Sequence, residues 1–177
     1  MSNTVDCSTI TIRSVRIEDI GEVYRLLVAN RPYVGLNSRY TYFLLARDFS
    51  NTCLVAIDGS RIAAFSSGYV SPTRPDTFFS WEIVVDAVYR GNGLQQRLLL
   101  NQLYKTTAKY LECTVNPSNL VSEHNFVKLA KLLGVGCSKS LLFSEEDFGH
   151  NGHEAEFLLC IGPISSGSLQ NLIRKYG

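Results

Sequence analysis

The feature that most limits how this chain can fold is one uninterrupted run, Trp81-Glu82-Ile83-Val84-Val85-Asp86-Ala87-Val88-Tyr89-Arg90-Gly91-Asn92-Gly93-Leu94. An apolar, β-branched stretch passes through a short loop with two glycines into a segment whose leucines at 94, 98, 99 and 103 fall on one helical face. Glycine lets backbone approach a ligand closely, and a helix N-terminus adds partial positive charge. Two readings stand side by side: a cradle for a pyrophosphate, or a tight strand-to-helix turn that binds nothing. The dinucleotide fingerprint G-x-G-x-x-G is absent.

The rest of the chain alternates around this run, with no repeat and no low-complexity segment. Strands are predicted at 9–13, 52–57, 61–70, 78–85, 111–115 and 154–162, with a hairpin turn at Asp58-Gly59. Helices are predicted at 16–29, 40–48, 94–108 and 119–133, and the tail 165–177 has helical potential. Ser71-Pro72-Thr73-Arg74-Pro75-Asp76 reads as a break between strands. A meander followed by alternating helices and strands gives an α+β fold: a mixed, largely antiparallel central sheet flanked by helices.

Composition narrows the function classes. A length of 177 residues fits one domain, and 45% hydrophobic with 19% charged residues excludes disorder and fibrous architectures. Seventeen basic against sixteen acidic residues leave a formal charge of +1, so no field favours nucleic acid. No apolar run approaches the roughly 18 residues of a membrane span, and the first residues lack the pattern of a secretory signal. The five cysteines, Cys7, Cys53, Cys113, Cys137 and Cys160, are irregularly spaced, which fits reduced thiols rather than a zinc site or disulfides. The expectation is a cytoplasmic domain without metal, membrane or nucleic-acid partner.

Hydrophobic strand, Arg90-Gly91-Asn92-Gly93-Leu94, then amphipathic helix resembles motif A of the Gcn5-related N-acetyltransferases. The strand ending Thr114-Val115 followed by Asn116-Pro117-Ser118-Asn119 resembles that superfamily's late strand and Asn-headed helix. Two departures are visible: Gln95 stands where a small residue is usual, and Phe126 where a thiolate-protonating tyrosine often sits. A closer resemblance, to the L-2,4-diaminobutyric acid acetyltransferases of ectoine biosynthesis, is carried by several stretches. They are Leu36-Asn37-Ser38-Arg39-Tyr40-Thr41-Tyr42, Gly68-Tyr69 through Arg74-Pro75-Asp76-Thr77, Trp81, Tyr110-Leu111-Glu112-Cys113-Thr114-Val115-Asn116-Pro117 and His153-Glu154-Ala155-Glu156 to Ile161-Gly162-Pro163. Gly35 departs from that pattern, which usually has an aspartate there.

The resemblance implies one acetyltransferase domain over 8–164, with tails at 1–7 and 165–177. It implies acetyl transfer from acetyl-CoA to the γ-amine of 2,4-diaminobutyrate, in a homodimer that could associate through 71–79. A free alkylammonium has a pKa near 10, so the site must supply a base or lower that value. The implied cofactor contacts are Ile83, Val84 and Val85 along the pantetheine arm, the loop Arg90, Gly91, Asn92, Gly93, Leu94 and Gln95, and Asn119 and Phe126. The implied substrate contacts are Asn37, Ser38, Tyr40, Trp81, His153, Glu154 and Glu156, with Glu82, Tyr40 and Glu154 as catalytic candidates. Each has a plainer reading: Glu82 as a surface-paired charge, Trp81 as core, Tyr42 as packing, and the acids near 154 as a solvated strand end. His150 and His153 with Glu154 lack a third spaced metal ligand. The alternatives are an acetyltransferase for another small diamino acid or polyamine, and a non-catalytic CoA-binding domain.

Overall fold

The structure is a computed structural model that describes residues 9–149 and 152–176. Seven strands and five α-helices are described, in the order β1 (Thr11–Ser14), α1 (Ile20–Ala29), α2 (Arg39–Asp48), β2 (Leu54–Asp58), β3 (Arg61–Ser71), β4 (Arg74–Val85), α3 (Leu94–Thr106), β5 (Tyr110–Val115), α4 (Leu120–Leu133), β6 (Cys137–Phe143), β7 (Glu156–Ile161) and α5 (Ser166–Tyr176). The seven strands form one sheet in the order β1-β2-β3-β4-β5-β7-β6, and only β4 and β5 run parallel. The α+β class read from the sequence is the class observed. The N-terminal tail, Cys7 and His150 lie outside the described residues.

Three expectations need correction. The supposed break at 71–76 is a tight hairpin in which Ser71 faces Arg74, so β4 begins four residues earlier than the apolar pattern indicates. The last strand starts at Glu156, leaving Glu154 in the preceding loop. β6 has no counterpart among the expected strands. It lies at the sheet edge with its residues exposed or half-buried on both faces, so it carries no in-out alternation and is held by its backbone ladder to β7.

Two cores sandwich the sheet. On one face, Val23 and Leu27 of α1 and Tyr42, Leu45 and Ala46 of α2 close over Val55, Phe65 and Val84. On the other, Leu99 and Leu103 of α3 and Phe126, Leu129 and Leu133 of α4 pack on Phe78, Leu111 and Cys113. α5 completes this second layer by burying Leu169 in it. Gln102 of α3 is wholly buried yet satisfied, accepting from Ser66 Oγ at 2.8 Å and donating to the Thr52 carbonyl at 2.6 Å.

Strand β4 changes phase in the middle. Phe78 faces α3 and α4, whereas Val84, also an even position, faces α1 and α2. The register explains it: Ser67 faces Glu82 but Gly68 faces Ser80, so Trp81 is an extra residue with no partner on β3. Such a bulge shifts every following side chain to the opposite face. Gly68 makes room for it, since a Cβ there would lie 2.4 Å from the Phe79 carbonyl oxygen and 2.5 Å from the Phe78 ring. Gly68→Ala is expected to destabilise the fold by about 1–3 kcal/mol, the usual penalty of overpacking, read as a lower denaturant midpoint.

Candidate active site

The site begins where the sheet fails to close. Thr77, Phe78 and Phe79 pair with Tyr110, Leu111 and Glu112, and no ladder joins the two strands beyond that point. On its other side β5 keeps its ladder to β7 from Leu111 to Val115. Beyond Phe79 the β4 edge that carries Ile83, Val84 and Val85 has no strand on the β5 side, so alternate backbone groups there are free of a ladder. Ile83 and Val85 lie on the α3 side of that edge.

The loop after β4 closes the mouth of the fork. Gly91 and Gly93 have φ of +81° and +74°, a left-handed backbone that favours glycine, and a Cβ at either would meet nothing within 4 Å. Gly93 is the residue from which α3 starts, so the first N–H groups of α3 face this loop. Arg90 is exposed, but its guanidinium donates to the Val85 carbonyl at 3.2 Å and to the Asn30 side chain. Asn92 donates to the Tyr89 and Arg90 carbonyls, and buried Leu94 anchors the helix. Gln95 accepts from Asn125 of α4 at 3.0 Å, which ties the two helices together behind the fork. Open space above two left-handed glycines at a helix N-terminus fits a pyrophosphate.

On the opposite face the bulge delivers Glu82. Only 9% of it is exposed. Its Oε1 accepts from Asn37 Nδ2 at 2.7 Å and from the Tyr42 hydroxyl at 3.3 Å, and that hydroxyl in turn accepts from the Asn37 amide at 3.1 Å. Its Oε2 is buried with no partner. No cation is within ion-pairing distance among the described residues. Burial pushes the Glu82 carboxyl above the ordinary carboxylate range, although the Tyr42 and Asn37 hydrogen bonds pull the other way. Burial likewise pushes the Tyr42 hydroxyl up to about 12, so it stays a proton donor at neutral pH. A desolvated carboxylate with one free oxygen can take a proton or hold an ammonium.

The other expected substrate residues are distributed more widely. Asn37 joins Glu82. Ser38 caps α2, accepting from the Thr41 amide. Tyr40 is 70% exposed in the first turn of α2, whereas Tyr42, which the sequence reading treated as packing, is fully buried against Glu82. The spacing Tyr42, Leu45, Ala46 marks the inward helical face and was the signal that separates the two tyrosines. Trp81 is 45% exposed at the bulge.

Glu154 accepts from Ser118 Oγ at 2.6 Å, ahead of α4, and His153 stacks on Phe148 with ring centroids 4.0 Å apart. Glu156 is half-buried on the Glu82 side of the sheet, because Phe157, Leu159 and Ile161 occupy the other face. Asn119 caps α4 through the Ser122 amide, and Phe126 is buried in the core. Glu112 of β5 is 5% exposed on the same face as Glu82, and Arg74 Nη1 donates to its Oε1 at 2.6 Å.

A forked sheet, a glycine loop on a helix N-terminus and a desolvated acid on the far face define an N-acetyltransferase of the Gcn5-related fold. The structure superposes on Ard1 from Thermoplasma volcanium with a TM-score of 0.71 at 16% identity, over 89% of this chain and 99% of that one, which bears on fold alone. It superposes with a TM-score of 0.81 and 29% identity, over 87% of this chain and 95% of the other, on diaminobutyrate acetyltransferase from Paenibacillus lautus in complex with its substrate L-2,4-diaminobutyric acid and coenzyme A. In sequence it is 36% identical over 160 residues to the L-2,4-diaminobutyric acid acetyltransferase of Halalkalibacterium halodurans, spanning 89% of this chain and 84% of that protein. The corresponding protein of Virgibacillus pantothenticus is 40% identical over 134 residues, spanning 74% of this chain and 84% of its own. No family model matches the chain. The chain belongs to the L-2,4-diaminobutyric acid acetyltransferases, and acetyl-CoA is its co-substrate.

Gly93→Val tests the loop. Forcing a β-branched residue into a left-handed conformation costs roughly 1–2 kcal/mol, and the open surroundings let the fold survive. Acetyl-CoA affinity, measured by calorimetry, is expected to fall sharply with the melting profile still cooperative.

Proposed function

We propose that this protein transfers the acetyl group of acetyl-CoA to the γ-amine of L-2,4-diaminobutyrate, giving the N4-acetyl product used in ectoine biosynthesis. The observation that carries the reading is the Glu82 carboxylate, buried opposite the cofactor fork with one oxygen free. Acetyl-CoA supplies the thioester; the chain must hold it and free the amine's lone pair. Backbone along Ile83 to Val85 holds the pantetheine arm, and the loop from Arg90 to Gln95 receives the pyrophosphate. Glu82 holds the γ-ammonium and accepts its proton, while Asn37 and Tyr42 fix the orientation of the carboxylate. Trp81, at the bulge between fork and acceptor face, walls the reacting groups. Glu156, with Glu154, His153, Tyr40 and Ser38 at the rim, draws in a substrate with two positive charges.

Gly35 favours a second reading, a different small diamine, because the acid usual at that position is replaced by a residue with nothing within 4 Å of its Cβ position. Steady-state kinetics with diaminobutyrate, ornithine, lysine and putrescine separates the two. The setting proposed is the cytoplasm under osmotic stress, in a homodimer. Two surfaces are candidates for that association: the exposed hairpin tip within 71–79, and the β6 edge with exposed Leu141, Leu142 and Phe143. Sedimentation of Phe143→Lys is expected to show a monomer; an unchanged dimer would place the interface elsewhere.

Glu82→Gln tests the chemistry. Turnover at saturating acetyl-CoA is expected to fall by about 10²–10⁴-fold, with cofactor affinity preserved and acetyl found only on the γ nitrogen of the wild-type product. In the wild type, kcat/KM should fall as pH drops through the raised Glu82 value, and the variant should lack that limb. The sign for stability is opposite. A carboxyl raised by folding makes its most favourable contribution below its unfolded pKa, and loses it as pH climbs to the folded value. Glu82→Gln removes that loss, so its Tm at neutral pH should equal or exceed that of the wild type.

A further inference from the structure

Arg74 and Glu112 make an unusual ion pair for a structural one. Arg13 and Asp19 show what this fold does when a pair only has to stabilise: Nη1 and Nη2 bind the two carboxylate oxygens at 2.6 and 2.8 Å, and the Arg16 amide adds a third bond. Arg74 instead reaches Glu112 through Nη1 alone, at 2.6 Å. Glu112 Oε2 is left buried without a partner. The Glu112 side chain is 7% exposed and that of Arg74 52%, and the remaining guanidinium N–H groups have no partner among the described residues. The pair therefore carries one free acceptor and several free donors, side by side.

Its position gives those groups a use. Leu111 and Cys113 face α3 and α4, so Glu112 between them faces the other side, the side of Glu82. Glu112 is level with Phe79, the last paired residue before the fork, and Glu82 follows on the same face just past the bulge. With a rise of about 3.3 Å per residue and about 4.8 Å between strands, the two acids stand roughly 10 Å apart. The nitrogens of an extended 1,3-diamine are about 5 Å apart, and a hydrogen bond of about 2.8 Å at each end spans the same gap.

We propose that the Arg74–Glu112 pair is a subsite for the α-amino-acid head of the acceptor, Glu112 Oε2 taking the α-ammonium and Arg74 the α-carboxylate, so that the γ-amine reaches Glu82. The proposal rests on the diamino-acid acetylation proposed above. It makes the base of the fork the determinant of substrate class. A polyamine lacks the group that Arg74 recognises, and a monoamine lacks the one that Glu112 recognises.

Two substrate analogues each delete one group: 4-aminobutyrate lacks the α-ammonium, and 1,3-diaminopropane lacks the carboxylate. Glu112→Gln should lower kcat/KM about tenfold or more for diaminobutyrate and 1,3-diaminopropane and leave 4-aminobutyrate unaffected. Arg74→Leu should lower it for diaminobutyrate and 4-aminobutyrate and spare 1,3-diaminopropane. Arg74 is half-exposed, so its variant remains informative if Glu112→Gln folds poorly, and Tm is measured for both. Equal losses on all three amines, or losses that merely follow Tm, would reduce the pair to a structural contact while leaving the proposed activity intact. A wild type that acetylates none of the three would overturn the activity and the subsite together.

Discussion

Everything functional in this molecule depends on a parallel ladder that stops after three residue pairs. Past Phe79 and Glu112, β4 and β5 part, and each keeps a neighbour only on its outer side. An edge of unsatisfied amides inside a sheet is costly unless a ligand pairs with it. One helical layer spans the gap: α3 and α4 pack against both strands on one face and are joined by the Asn125–Gln95 hydrogen bond. The cleft is thus set by packing distant from the chemistry.

The acceptor side shows how a charge is kept in an expensive place. Glu82 gains two hydrogen bonds at one oxygen and no counter-charge, in a setting that disfavours its ionised form. A cationic amine bound there, as proposed above, would relieve this and link binding to desolvation. Asn37 bridges the two halves of the arrangement through its side chain on Glu82 and its amide on Tyr42. The Arg90–Asn30 contact connects the cofactor loop to the end of α1, from which the chain continues to Asn37.

Much of this was legible in the sequence, for identifiable reasons. The two glycines of the loop stand where the backbone must be left-handed, and the leucines of α3 follow the helical period. Alternation alone sets Glu82 opposite Ile83 and Val85, as observed, but it also sets Trp81 on their face, because only the pairing with β3 reveals the bulge. Tyr42 and Tyr40 could be told apart by helical phase. β6 could not be found, since a strand exposed on both faces leaves no pattern. Glu154 was assigned to the strand because its spacing from Glu156 mimics alternation. Its carboxylate is instead fastened to Ser118, and the ladder begins two residues later.

The bulge at Trp81 also bears on how such a chain can evolve. Side chains on a strand are read in pairs of faces, so one extra residue inverts the parity of all that follow. Without it, Glu82 would project among the leucines of α3, and Ile83 and Val85 would turn toward α2. Substitutions along this stretch can adjust the site by degrees, whereas a slip that paired Trp81 with Ser67 would exchange its two sides at a stroke. Gly68, whose missing Cβ accommodates the extra residue, therefore guards a reading frame in the folded chain.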